Sequence, residues 1–102
     1  MEIRYYTKEI EKFIKLLDND TASGITRLIL LLAKCGNKIK MPYSKSLSQG
    51  LFELRRLGKR QVRVLYCFHN GEAVILHIFE KKANSVSRKD LTLARQRKDS
   101  LA

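Results

Sequence analysis

The dipeptide Asn70-Gly71 lies between two runs that alternate like half-buried strands, "QVRVLYCF" (Gln61–Phe68) and "AVILHIFEK" (Ala73–Lys81). A type I′ turn needs positive φ at both central residues. Asn and Gly tolerate this best, and the turn matches the right-handed twist of paired strands. The chain is thereby committed to an antiparallel hairpin. "LFELR" (Leu51–Arg55) precedes it, joined by a basic turn over Arg56–Arg60 that centres near Gly58-Lys59. Three strands linked by tight turns form an antiparallel meander.

Upstream, "EIRYY" (Glu2–Tyr6) reads as a strand with Ile3 and Tyr5 on one face. Thr7 can cap a helix, with Glu9 and Glu11 near its positive end. Ile10, Phe13, Ile14 and Leu17 then follow at helical spacing. "DNDTASG" (Asp18–Gly24) breaks that helix, and a second runs from about Ala22 to Cys35 on Ile25, Leu28, Ile29 and Leu32, with Leu30 and Leu31 widening its apolar surface. Gly36-Asn37 ends it. Two helices with so short a connection form a helical hairpin. Lys38–Gly50 is a polar, basic loop around Pro42. Ser87 and Asp90 have capping-box spacing at the head of a last helix, on which Leu91, Ala94 and Leu101 lie roughly together. The expected architecture is α+β, one domain over 1–102. An N-terminal strand and helical hairpin pack on the meander, and a C-terminal helix follows. Phe13, Leu17, Ile25, Leu28, Leu32, Val64 and Ile78 are expected to be mostly buried.

Strand alternation also places charges. Phe52 and Leu54 share one face of the first meander strand, and Glu53 and Arg55 the other. Val62, Val64, Tyr66 and Phe68 share a face of the second, with Arg63, Leu65 and Cys67 opposite. If the apolar faces meet the helical hairpin, Glu53, Arg55 and Arg63 converge on the far, open side, with Arg55 and Arg63 directly opposed. Opposed like charges destabilise a sheet. The arrangement makes sense with Glu53 between them, or with an anion such as phosphate bound there. The third strand ends in Lys81-Lys82, one of which must join that side; parity alone does not choose. A solvated basic face is the competing reading. His77, in the middle of an apolar run, reads as a core residue.

Charge agrees with an anionic partner. The 102 residues carry 21 Lys+Arg against 10 Asp+Glu, a net +11, and 44% of residues are hydrophobic, enough for one core. Residues 1–50 hold 9 basic and 5 acidic side chains and residues 51–102 hold 12 and 5, so the second half is the more basic. The start, "MEIRYYTKEIEKF", has no apolar signal region, and "LILLLA" (Leu28–Ala33) is far too short to span a bilayer. Cys35 and Cys67 lack metal or redox spacing and read as buried thiols of a reducing cytoplasm. With His69 and His77 the only histidines, no metal site is expected.

Taken in order, Leu51–Arg55 (Leu-x-Glu-Leu-Arg), Arg63–Tyr66 (Arg-Val-Leu-Tyr), Leu76–Lys82 (Leu-x-x-Phe-x-Lys-Lys) and Ala94 followed by Arg95 and Arg97 resemble the RelE/ParE toxin superfamily, closest to its HigB-type, phage-derived subgroup. The resemblance implies a RelE-like fold and the toxin of a type II toxin–antitoxin system. Such toxins are mostly ribosome-dependent endoribonucleases acting on mRNA without metal or cofactor, and each is neutralised by a cognate antitoxin, often a helix-turn-helix protein. The positions that match are Glu53, Arg55, Arg63, Lys81 and Lys82 as catalytic residues; Arg56, Lys59, Arg60 and Arg88 are the accompanying RNA-binding candidates. Many relatives carry a histidine or tyrosine near the C-terminus, whereas residues 83–102 contain neither. A ParE-like inhibitor of DNA gyrase and a non-catalytic RNA- or ribosome-binding module are the alternatives. No membrane partner is implied.

Metal-free RNA cleavage uses the substrate 2′-OH as nucleophile. It needs a base for its proton, cations for the extra charge on the phosphate, and an acid for the leaving 5′-oxygen. Arg55 and Arg63 suit the second task, since their forked donors match phosphate oxygens. Glu53 is the candidate base or, equally, an orienter of the arginines. Lys81 or Lys82 can stabilise charge or protonate the leaving group.

Overall fold

The computed structural model describes residues 1–56, 58–82, 84 and 86–101. Expectations that touch Leu57 in the basic turn, or Ala83 and Ser85 before the last helix, fall outside the described residues. Strand β1 (Glu2–Tyr5) leads into α1 (Lys8–Lys15) and α2 (Asn19–Cys35), then a 3₁₀ turn (Gly36–Lys38). There follow β2 (Ser44–Ser46), β3 (Phe52–Arg55), β4 (Val62–His69), β5 (Glu72–Glu80) and α3 (Arg88–Asp99). The class is α+β, as expected. The sheet, however, is five-stranded and mixed, in the order β1-β5-β4-β3-β2. The meander β3-β4-β5 is antiparallel, while β1 adds parallel to β5, with Glu2 opposite Glu72 and Tyr5 opposite Ile75. The loop read as irregular contributes the edge strand β2, antiparallel to β3. Its sequence, Ser-Lys-Ser, has no apolar alternation to announce a strand. It is held instead by the Ser44 hydroxyl, buried and 2.6 Å from the Tyr66 hydroxyl across β3.

Asn70 (φ 50°) and Gly71 (φ 76°) both take positive φ, and the ladder closes at His69 opposite Glu72. The meander also contains a bulge. Leu65 faces His77 but Tyr66 faces Ile75, so Leu76 is the extra residue on β5. The bulge resets alternation beyond it. Ile78 therefore packs with Ala73 and Ile75, and Phe79 with Val74 and Leu76.

The second helix begins at Asn19 and not near Ala22, because Asp18 caps it: the Thr21 N–H donates to Asp18 Oδ2 at 3.0 Å. Thr7 occupies the first helix's cap position in extended conformation, but its side chain makes no cap bond. The hairpin covers one sheet face. Ile10, Ile14, Leu17, Ile25, Leu28 and Leu32 meet Leu54, Val62, Val64, Tyr66 and Ile75 there, while Phe13 is only half-buried. The opposite face, expected to be open, is not. α3 lies on it, with Ala94 buried against a cluster that includes Leu51, Leu65, Cys67, Val74 and Leu76 and is flanked by Leu91 and Leu101. Alternation located the faces correctly; what it could not show is that Leu65 and Cys67 make the second face apolar enough to bind a helix.

The turn gives a clean test. A Cβ at Gly71 would meet nothing within 4 Å, so Gly71→Ala should cost only the left-handed backbone penalty, about 1–2 kcal/mol. Urea titration should show a lower midpoint with an unchanged slope.

Candidate functional site

Arg55 and Arg63 stand directly opposite one another on β3 and β4. Glu53 lies between them, its Oε1 at 3.7 Å from Arg55 Nε and 3.8 Å from Arg63 Nε. These are ion-pair separations too long for hydrogen bonds. Glu53 Oε2 and the Nε atoms of Arg55 and Arg63 are buried without a hydrogen-bond partner. Glu53 and Arg63 are only 3% and 2% exposed, whereas the Arg55 side chain keeps 25% of its surface. The expected open site is thus a covered one. Arg63 is a buried cation, and Arg55 is the member of the triad that reaches solvent. Burial pushes the Arg63 guanidinium below its ordinary pKa; the Glu53 carboxylate opposes that shift and Arg55 adds to it.

The basic turn supplies the rest of the Arg63 coordination. Arg63 Nη1 donates to the carbonyls of Arg56 (3.2 Å) and Val62 (3.3 Å), and Nη2 to Gln61 Oε1 (2.8 Å). The turn is itself pinned to the start of α2. Arg56 Nη2 donates to Asp20 Oδ2 at 2.9 Å, and Arg60 forks onto Glu80 (3.2 and 2.8 Å) while reaching Asp18 at 3.0 Å. The close approach explains a glycine inside a helix: a Cβ at Gly24 would fall 2.5 Å from Arg56 Nε. Arg56 and Arg60, two of the RNA-binding candidates, are therefore engaged by carboxylates of the fold. Lys59 and Arg88 are exposed. A groove of about 560 Å³ opens beside the turn, lined by Asp18, Asp20, Thr21, Arg56, Lys59 and Arg60 among others.

The bulge resolves which paired lysine belongs with the triad. Arg63 stands opposite Phe79, and the Lys81 N–H bonds the Gln61 carbonyl, continuing the ladder. Two residues beyond Phe79, Lys81 shares its parity and that of Arg63, and it is half-buried; Lys82 is exposed and of opposite parity. His77 is not enclosed in the core. Its Nε2 lies 2.7 Å from Asp90 Oδ1 and its ring stacks on Phe79, with centroids 5.4 Å apart. The Ser87 hydroxyl bonds the other Asp90 oxygen at 2.6 Å, so the helix cap and the strand histidine share one carboxylate. The partnership joins residues thirteen apart on elements whose docking alternation did not reveal. Among the described residues no three His, Cys, Asp or Glu side chains converge to hold a metal ion. Both cysteines are free thiols, Cys67 buried and Cys35 partly so. No helix among the described residues is long and apolar enough to cross a membrane.

A helical hairpin on one face of a five-stranded sheet that the N-terminal strand joins at its edge, with a helix on the other face, is compatible with a RelE-like fold, here with a carboxylate-bridged arginine pair at its centre. The model of the phage-derived protein Gp49-like family (DUF891) matches residues 12–99. The chain belongs to this family, whose members are toxin-like proteins of the RelE/HigB kind. No curated protein matches the chain significantly.

Two outcomes follow from the geometry. Glu53 is the one carboxylate within 4 Å of Arg63 among the described residues. Glu53→Gln leaves that buried cation uncompensated and should destabilise by about 3–5 kcal/mol, read as a fall in the urea midpoint. The second outcome concerns acid. Hydrogen bonds from Thr21, then from Arg60, hold Asp18 at about 2, and the Arg60 hydrogen bond lowers Glu80. Folded-state values below the unfolded ones mean stability present above pH of about 4 and lost as pH falls toward 2. Asp18→Asn should therefore lower Tm at neutral pH and flatten the acid limb of a Tm–pH profile below about pH 4.

Proposed function

We propose that this toxin-like protein is the toxin of a type II toxin–antitoxin pair and cleaves mRNA on the ribosome. The observation that carries the reading is the Arg55–Arg63 pair bridged by Glu53, whose exposed member, Arg55, presents a cation held beside a buried carboxylate. In the reaction, the substrate 2′-hydroxyl gives its proton to solvent water as its oxygen attacks phosphorus, the bond to the 5′-oxygen breaks, and a 2′,3′-cyclic phosphate and a 5′-hydroxyl remain. Arg55 meets the charge that builds on the phosphate, and Arg63 supports it electrostatically from within the fold. Lys81, on the same face, protonates the leaving oxygen, and Lys82 contributes charge at the rim. Glu53 has two available roles, base or orienter; its burial and its position between the guanidiniums favour the orienter. Lys59 and Arg88 offer phosphate contacts, while Arg56 and Arg60 act by holding the turn. The proposed antitoxin, a helix-turn-helix protein, covers this basic face, and both act in the cytoplasm.

The test is single-turnover cleavage of ribosome-bound mRNA, with a melting curve for each variant. Arg55→Ala should lose about 10²–10³ in rate with little change in Tm, because a quarter-exposed side chain is removed. Arg55→Lys should recover part of it, since a point charge cannot reproduce a forked contact. Lys12→Ala, on the exposed side of α1, should be neutral. Wild-type-like cleavage by Arg55→Ala would overturn the assignment. Gyrase inhibition without cleavage would replace this reading by the ParE-like one, and neither activity would leave an RNA-binding module.

A further inference from the structure

The face that carries Arg55 continues one residue beyond β2. The Arg55 N–H donates to the Tyr43 carbonyl at 2.9 Å, extending the register in which Ser44 faces Leu54 and Lys45 faces Glu53. Tyr43 therefore stands opposite Arg55. Ser44 points to the hairpin side, where it meets Tyr66; by alternation Tyr43 and Lys45 point to the other side, with Glu53 and Arg55. One row across the sheet reads Tyr43, Arg55, Arg63, Phe79, and the next reads Lys45, Glu53, Leu65, His77. Tyr43 is 50% exposed and Met41, whose sulfur lies 3.6 Å from Arg55 Nη1, is 59% exposed. Arg55 is thus flanked by an exposed aromatic ring one strand away. Opposed side chains in a sheet are close neighbours, with Cβ atoms roughly 4.5–5.5 Å apart.

We propose that Tyr43 is a base-stacking residue, holding the nucleobase of the nucleotide whose phosphate Arg55 binds in single-stranded RNA. The inference rests on the catalytic reading and adds a substrate contact to it. Single-stranded nucleic acid is bound by cations that track the backbone together with aromatic rings that stack on bases. The β2 edge supplies both. The same edge borders a groove of about 520 Å³ that opens toward the hairpin side, lined by Ile39, Lys40, Met41, Ser44, Lys45 and Phe52 among others. Lys40 and Lys45, both exposed, add positive charge along that edge. An acidic peptide would use the same lysines but has no need of an exposed ring in register with the arginine.

The experiment measures binding, separately from cleavage. The probes are a short single-stranded RNA made uncleavable by 2′-O-methylation and an abasic strand of the same length. Tyr43→Ala should weaken the base-bearing strand by roughly 5- to 150-fold and leave the abasic strand unchanged. Tyr43→Phe, which keeps the ring and the packing, should bind like wild type and serves if the alanine variant folds poorly. Arg55→Ala should weaken both strands. Unchanged affinity in Tyr43→Ala, equal loss on both strands, or loss in Tyr43→Phe comparable to that in Tyr43→Ala overturns the stacking role. So does a wild type that binds neither strand. In each case the ribosome cleavage assay judges the catalytic reading on its own, so the two can fail separately.

Discussion

A guanidinium enclosed in the middle of a sheet sets the terms for everything around it. Arg63 is 2% exposed, and a charge so placed is tolerated only with a counter-charge and satisfied donors. Glu53 provides the first, and the turn over residues 56–61 provides most of the second through the Arg56 carbonyl and the Gln61 side chain. That turn in turn depends on Asp18, Asp20 and Glu80 to fix its arginines. The start of α2, the β3–β4 connection and the end of β5 are therefore linked through charged side chains, while apolar contacts join the layers elsewhere. Among the described residues, three Nε atoms and one carboxylate oxygen of this network are buried without a hydrogen-bond partner. A fully satisfied network would be more stable; this one leaves polar capacity beside the single guanidinium of the triad that meets solvent.

Much of the fold was legible because its signals are local. The Asn-Gly turn, the two amphipathic helices, the strand faces and the opposition of Arg55 and Arg63 each follow from spacing within a few residues. What failed depends on contacts distant in sequence. β2 is a strand because Ser44 reaches Tyr66, and no propensity in Ser-Lys-Ser declares it. α2 starts three residues early because Asp18 caps it, and it runs through Gly24 because Arg56 takes the space that a side chain there would occupy. His77 looked like a core residue because a lone polar group in an apolar run is read that way; its partner Asp90 lies on the helix that caps the face. Glu53, Arg55 and Arg63 were placed on the right face of the sheet but in the wrong environment. Period-two alternation assigns a side chain to a face, but it does not say whether that face meets water.

In the proposed cleavage reaction, the covered second face changes how the chemistry is divided. With Arg63 and Glu53 enclosed, neither is placed to enter a substrate contact directly, and the outward work passes to Arg55, to Lys81 at the end of β5 and to the β2 edge. This division has a physical logic. An enclosed ion pair would keep its geometry when the proposed substrate arrives, so the arginine above it would be oriented before binding, with little reorganisation as charge develops on a phosphate.

The division extends to the whole charge distribution. Every ion pair among the described residues uses arginine or histidine, and the lysines take part in none. Arginine's planar fork suits fixed pairing inside the fold, while lysine's hydrated ammonium suits a solvated field. The carboxylates that these pairs consume, Asp18, Asp20, Glu53, Glu80 and Asp90, are half of the 10 in the chain. Four of them offset arginines at close range and Asp90 meets His77, and no lysine is paired at close range among the described residues. The net +11 is thus carried outward mainly by lysines such as Lys38, Lys40, Lys45, Lys59 and Lys82, all exposed. Such a field raises the encounter rate with a polyanion and weakens with salt, whereas the enclosed Arg63–Glu53 pair beneath it is screened far less. Attraction and architecture are assigned to different side chains, so added salt should reduce the first well before it disturbs the second.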